Sequence, residues 1–179
     1  MIDRDRLHDI LSAIGKELRK PARLTLIGSA ASILSGQGGR QTPDIDVWRP
    51  ASDFDAEDLR NACEKAGILY DPKGLIGDED QYIQIVREGI VSLPHGFRTT
   101  EIDRYGHLVV ERPPAELIVA SKLSRGSETD LEDAAWWVAN AGLSLQAVEK
   151  AIGELPRKTD RETADENLVF LKLSHSGKG

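Results

Sequence analysis

Asp44 and Asp46, in the run DIDVW, stand two residues apart in a segment whose other members are aliphatic or aromatic. Such a run reads as a strand, in which side chains alternate faces and same-face neighbours lie about 6.6 to 7 Å apart. Both carboxylates then point one way, while Ile45 and Val47 point to the core. Two like charges so placed repel, and away from water they are costly unless a cation lies between them. A hard divalent ion such as Mg2+, or Mn2+, takes one or two protein carboxylates and fills its other positions with water and phosphate oxygens. The spacing asks for a metal and phosphate site at Asp44 and Asp46. An EF-hand loop does not fit, because Trp48 and Pro50 stand where a further acid and a glycine would be needed.

The phosphate half comes from an earlier step, Gly28-Ser29, where the apolar run LTLI stops. A glycine at a strand end permits a tight turn and close backbone approach, and a helix that follows presents free N–H groups to an anion. Ser29 adds a hydroxyl, and Arg40 adds a fork of donors for a phosphate or a carboxylate. No GK[ST] follows the glycine, and the GQGG run does not join a strand directly to a helix, so neither a P-loop nor a dinucleotide fingerprint is present. Each piece has a plainer reading as well. Asp-x-Asp suits a solvated strand end, Ser29 an N-cap, and Arg40 a surface loop.

These residues need elements to hold them. Leu7, Ile10, Leu11, Ile14 and Leu18 mark one face of a helix over about Asp3 to Arg19, which Pro21 ends. A strand at Leu24 to Ile27, a small-residue helix at Ala30 to Leu34 and a glycine-rich loop lead to DIDVW. Ser52 or Asp53 can cap the next helix, Asp55 to Lys65. Strand-like runs follow at Ile68 to Tyr70, YIQIV, GIVSL and HLVVE. From Pro113 the pattern turns helical in four segments. The expected class is α/β (α+β): a mixed β-sheet core over 1–112 flanked by helices, a C-terminal helical cap over 113–173, and a flexible tail at 174–179.

The chain has 179 residues, 40% hydrophobic and 30% charged, enough for one core with a small helical appendage. A net charge of −7 argues against coating nucleic acid through a general basic surface. No apolar run approaches the roughly 18 residues of a membrane span, and the N-terminus lacks a signal-peptide core, so a cytoplasmic protein with no membrane partner is expected. A single cysteine, Cys63, and four scattered histidines give no cysteine or histidine metal site.

Strand, Gly-Ser, short helix, arginine-bearing loop, then Asp-x-Asp on a second strand resembles the arrangement of the polymerase-beta-like nucleotidyltransferase superfamily, carried here by GSAASIL and RQTPDIDVW. More narrowly it looks like the bacterial AbiEii or MenT-like group of abortive-infection and toxin-antitoxin systems. ELIVASKLSRGSETDLEDAAWWV is similar to that group's later lysine and Asp-Leu-x-Asp segment. The resemblance implies a nucleotidyltransferase-like fold, divalent metals on Asp44 and Asp46, and the triphosphate of an NTP on Gly28 and Ser29. It implies in-line attack by an acceptor on the α-phosphate with pyrophosphate leaving. By position, the group's contributing lysine and later aspartate fall on Lys122 and Asp130. In the plainer reading Thr129 is an N-cap with Glu132 at N3, Asp130 answers the helix dipole, and Lys122 is an exposed helix lysine.

Many active members carry a third carboxylate on a neighbouring strand. Here Ile83 and Ile85 mark the core face of YIQIV, which leaves Gln84 in that place, and a glutamine is no base at neutral pH. Asp130 or Glu88 could substitute. Trp136 and Trp137 read first as helix packing, with stacking on a base as the alternative. Three functions compete. One is NMP transfer from an NTP to a protein or RNA acceptor, with a cognate toxin or antitoxin as partner. Another is a catalytically degenerate module of the same fold that binds a nucleotide or a partner protein. The third is an adaptor acting through its C-terminal helices alone.

Overall fold

The structure, a computed structural model, describes residues 1–176. Two compact units emerge: Met1–Arg87 with Thr99–Arg112, and Glu88–Arg98 with the chain from Pro113 onward.

The first unit is built on a mixed sheet. Its strands are β1 (Ala22–Ile27), β2 (Asp44–Trp48), β3 (Leu69–Tyr70), β4 (Tyr82–Val86), β5 (Thr100–Tyr105) and β6 (Leu108–Arg112), in the order β3-β4-β2-β1-β6-β5. β1 runs antiparallel to β2 and parallel to β6, whereas β2 and β4 are parallel. One sheet face carries Leu24, Leu26, Ile45, Val47, Ile83, Ile85, Leu108 and Val110 into a continuous apolar core. Helices α1 (Arg4–Glu17), α2 (Gly28–Leu34) and α3 (Ala56–Lys65) add to that core through residues such as Leu7, Ile10, Ala31, Ile33, Leu59 and Cys63. Strand alternation leaves Thr25, Asp44, Asp46, Trp48, Tyr82, Gln84 and Glu111 on the opposite face.

Helix α1 begins where Asp3 accepts the Arg6 N–H at 2.9 Å. Gly15 in this helix lies flush against the β5–β6 turn, so that a Cβ there would sit 1.8 Å from the Tyr105 carbonyl oxygen. That approach requires glycine.

The second unit is helical. α4 (Ala115–Arg125), α5 (Glu128–Asn140), α6 (Leu145–Gly153) and α7 (Lys158–Ser176) pack with α4 in contact with the other three. Leu117, Val119, Ala120 and Leu123 of α4 are buried, as are Ala134, Trp137 and Val138 of α5, Val148 and Ile152 of α6, and Leu168 and Leu171 of α7. Trp137 is thus core, and Trp136, half-buried beside it, meets its ring edge-on at 5.1 Å between centroids.

Four local expectations need correction. GIVSL forms no strand: Glu88 and Val91 make an isolated bridge, and Ile90 is 73% exposed. The polar run TEIDRY, not among the strand-like runs of the sequence, is edge strand β5, held by pairing with β6. Helix α3 is capped by Asp55, which accepts the Asp58 N–H, because a 3₁₀ turn at Arg49–Ala51 absorbs Pro50 and turns Ser52 inward to bond the Trp48 carbonyl. Of the expected tail, 174–176 are helical, and 177–179 lie outside the described residues.

Candidate active site

Strand β1 delivers the chain to Gly28 with Ile27 as the Cα partner of Asp46 on antiparallel β2. This register sets the Asp46 side chain over Gly28. A Cβ built on Gly28 would lie 2.7 Å from Asp46 Oδ2, and the Gly28 backbone is left-handed at φ +65°. Glycine is required twice over, by backbone conformation and by the carboxylate that lies on it. Asp44, two residues before Asp46, shares its face and is half-buried like it. The Thr42 hydroxyl, itself buried, donates to Asp44 Oδ1 and to the Asp44 carbonyl, each at 3.1 Å, and so fixes the first carboxylate.

The neighbouring strand completes the patch. Tyr82 is the Cα partner of Asp44, and Gln84 that of Asp46. Burial pushes the Tyr82 phenol above its ordinary value, helped by the charge and hydrogen bonding of Asp44 and the charge of Asp46. Ile83 and Ile85 are buried in the core, so Gln84 does stand on the carboxylate face. Its Nε2 donates to Asp71 Oδ1 at 2.8 Å. Asp71 follows β3 with φ +42°, the only left-handed non-glycine among the described residues. It also accepts the Ile85 N–H at 3.2 Å and pairs with Lys73 at 2.8 Å and Arg87 at 3.4 Å.

Ser29 sits inside the first turn of α2. Ile27 occupies the cap position there and no side chain caps the helix, so the N-cap reading of Ser29 is corrected. Arg40 lies in the loop after α2, half-buried, and lines a surface groove with Asp3, Arg4, Asp5 and its loop neighbours Gln37, Gly38, Gly39 and Gln41.

Lys122 and Asp130 belong to the second unit and meet there. Lys122 Nζ lies 2.7 Å from Asp133 Oδ2 and 3.8 Å from Asp130 Oδ1, with all three side chains buried. Asp130 also binds the Arg125 guanidinium and accepts from the Ser127 hydroxyl at 2.8 Å. Two plainer expectations fail. Lys122 is not exposed, and the cap of α5 is Ser127, whose Oγ accepts the Asp130 N–H at 3.1 Å, rather than Thr129 paired with Glu132. Gly126, left-handed at φ +68°, ends α4 and leaves Ser127 as the first residue able to cap.

A family model described as "Nucleotidyltransferase of unknown function (DUF6036)" matches residues 5–173. The chain belongs to this nucleotidyltransferase family. No curated protein and no solved structure matches it. The mixed sheet flanked by helices is consistent with a nucleotidyltransferase-like fold. No helix among the described residues is long and apolar enough to cross a membrane.

In this member of the family, no group of three or more His, Cys, Asp or Glu side chains among the described residues is arranged to hold a metal ion. The donor set at Asp44 and Asp46 fits the other regime. Two carboxylates on one strand face suit an ion that keeps several waters and takes phosphate oxygens, not one caged by protein alone. Sequence reasoning missed Asp71 and Asp133, and gave Tyr82, on the Gln84 face of YIQIV, and Thr42 no role. Asp133 lies within the quoted Asp-Leu-x-Asp, and Thr42 within RQTPDID, so both carried a signal. Asp71 carried none.

Proposed function

We propose that this protein is a metal-dependent nucleotidyltransferase that transfers an NMP from an NTP to a protein or RNA acceptor. The observation that carries the reading is the Asp46 carboxylate lying on Gly28 with Asp44 on the same face, in a chain of a nucleotidyltransferase family. Asp44 and Asp46 would hold Mg2+ or Mn2+, which supplies charge neutralisation to the attacking and leaving oxygens of an in-line displacement. Thr42 keeps Asp44 in place by donating to one of its oxygens. Gly28, lacking a side chain, leaves the backbone of the turn open to phosphate oxygens, and Ser29 adds a hydroxyl donor. Arg40 serves the triphosphate as a third donor group. Lys122 and Asp130 contribute to the same reaction in the AbiEii or MenT-like reading. That reading also supplies the setting: a cytoplasmic toxin-antitoxin or phage-defence pair with a cognate partner.

A second reading, a catalytically degenerate module that binds a nucleotide or partner protein, is favoured by one observation. Gln84, not an acid, is the register partner of Asp46. One experiment separates the two. The purified chain is incubated with each labelled NTP, Mg2+ or Mn2+, and a cell lysate. Label on protein or RNA that disappears in Asp44→Asn and Asp46→Asn supports transfer. Melting temperature raised by Mg2+ and NTP together, without label transfer, supports the binding module. Neither effect in a folded wild-type protein overturns both readings.

A further inference from the structure

A glutamine beside two carboxylates presents either its nitrogen or its oxygen to them, and the choice decides what it can do. Here the choice is made by a neighbour. Asp71 lies on the far side of Gln84 from Asp46, since β4 runs between β2 and β3 and the β3–β4 register places Asp71 next to Gln84. An ionised carboxylate only accepts hydrogen bonds, so the amide end turned toward Asp71 is the nitrogen, and Nε2 donates to Asp71 Oδ1 at 2.8 Å. Lys73 and Arg87, paired with the same carboxylate, favour its charged form. The chain accepts a left-handed backbone at Asp71, φ +42°, to bring that carboxylate to the strand edge.

We infer that Asp71 is a positioning residue that turns the Gln84 amide oxygen toward Asp46, making it the third and neutral oxygen of a divalent-cation site whose charged oxygens are those of Asp44 and Asp46. The inference rests on the metal-dependent reading above. It deepens that reading by assigning Gln84 a ligand role that needs no basicity. A neutral third ligand leaves the site with two protein charges, so the cation keeps more of its own for the phosphates of the nucleotide. Asp71 touches no substrate in this assignment and acts through Gln84 alone.

The test is direct Mn2+ binding to the full chain, read by electron paramagnetic resonance in the presence of a non-hydrolysable NTP analogue. Each variant is first checked for its fold by circular dichroism. Gln84→Ala and Asp71→Gly are each expected to weaken Mn2+ binding about 10-fold or more, the scale seen when metal-orienting partners are lost. Glycine is chosen at 71 because it accepts φ +42° without strain. Gln84→Glu is expected to tighten binding. A carboxylate has two equivalent oxygens and needs no orienting partner, so Asp71→Gly in the Gln84→Glu background should cost nothing. An equal cost in both backgrounds would make Asp71 merely structural and overturn the positioning role. Mn2+ binding that depends on Asp44 and Asp46 yet ignores Gln84→Ala would overturn the inference and leave the metal-dependent reading intact. Wild type that binds no Mn2+ would overturn both.

Discussion

Lys122 and Asp133 form an ion pair with 2.7 Å between Nζ and Oδ2, their side chains 4% and 1% exposed. Removing one partner of such a pair strands the other charge in the interior. Lys122→Met should therefore cost about 3 to 5 kcal/mol of unfolding free energy. Lys122→Met with Asp133→Leu should recover most of it, because neither charge is then left unpaired. Urea unfolding measures both. Recovery of stability without recovery of label transfer would show that the Lys122–Asp133 pair contributes to the reaction beyond its part in the fold.

Gly28→Ala tests the turn. An alanine at φ +65° is strained by about 1 to 2 kcal/mol, and its Cβ, 2.7 Å from Asp46 Oδ2, must displace that carboxylate. The side chain of Asp46 can swing away, so the protein should still fold, with stability lowered by about the backbone term. Binding of Mg2+ with NTP, followed by the rise in melting temperature, should fall much further than the lost stability explains. A Gly28→Ala protein that keeps wild-type nucleotide binding would remove the turn from the site.

At the start of α7, Arg157 Nε donates to Asp160 Oδ2 at 2.6 Å. Burial pushes the Asp160 carboxyl up, but hydrogen bonding from Arg157 and Ser92 and the Arg157 charge together outweigh it, and the net shift is downward from the ordinary value. The folded state thus keeps this carboxylate ionised to lower pH than the unfolded chain does. Its stabilisation is present at neutral pH and fades as pH falls through the lowered folded value. Asp160→Asn should be less stable than wild type by about 0.5 kcal/mol at pH 7, with the gap closing toward the acid limit. Thermal melts at pH 7, 5 and 3 follow the convergence. A gap that widens on acidification would contradict the assignment.

The carboxylate face was legible because it rests on alternation alone. Once DIDVW and YIQIV are strands, Ile45, Val47, Ile83 and Ile85 fix which way Asp44, Asp46 and Gln84 point. GIVSL and TEIDRY show the limit of that logic. A short apolar run becomes a strand only if a neighbour supplies hydrogen bonds, and a charged run at an edge becomes one when a neighbour does. Ser127-x-x-Asp130 and Thr129-x-x-Glu132 are equivalent as capping patterns, and the left-handed Gly126 decides between them. The partners of Asp71 and Asp133 were hidden for a different reason. Asp71 reaches Gln84 13 residues away and Asp133 reaches Lys122 11 away, across turns whose direction local sequence does not state.

The first unit is not one stretch of chain. Strand β1, which ends at the Gly28 turn, has β6 as one neighbour, and β6 follows in the chain only after the 88–98 segment, which belongs to the other unit. A ribosome that has released residues 1–87 has released every one of Gly28, Ser29, Arg40, Asp44 and Asp46. Even so, β1 at that moment has an open edge where Ala22 to Thr25 await Leu108 to Glu111. Strand β1, which carries the chain to the Gly28 turn, therefore gains its second neighbour only once residues through Glu111 have emerged. Neither unit can be produced alone by a single cut, because each is interrupted in sequence by the other.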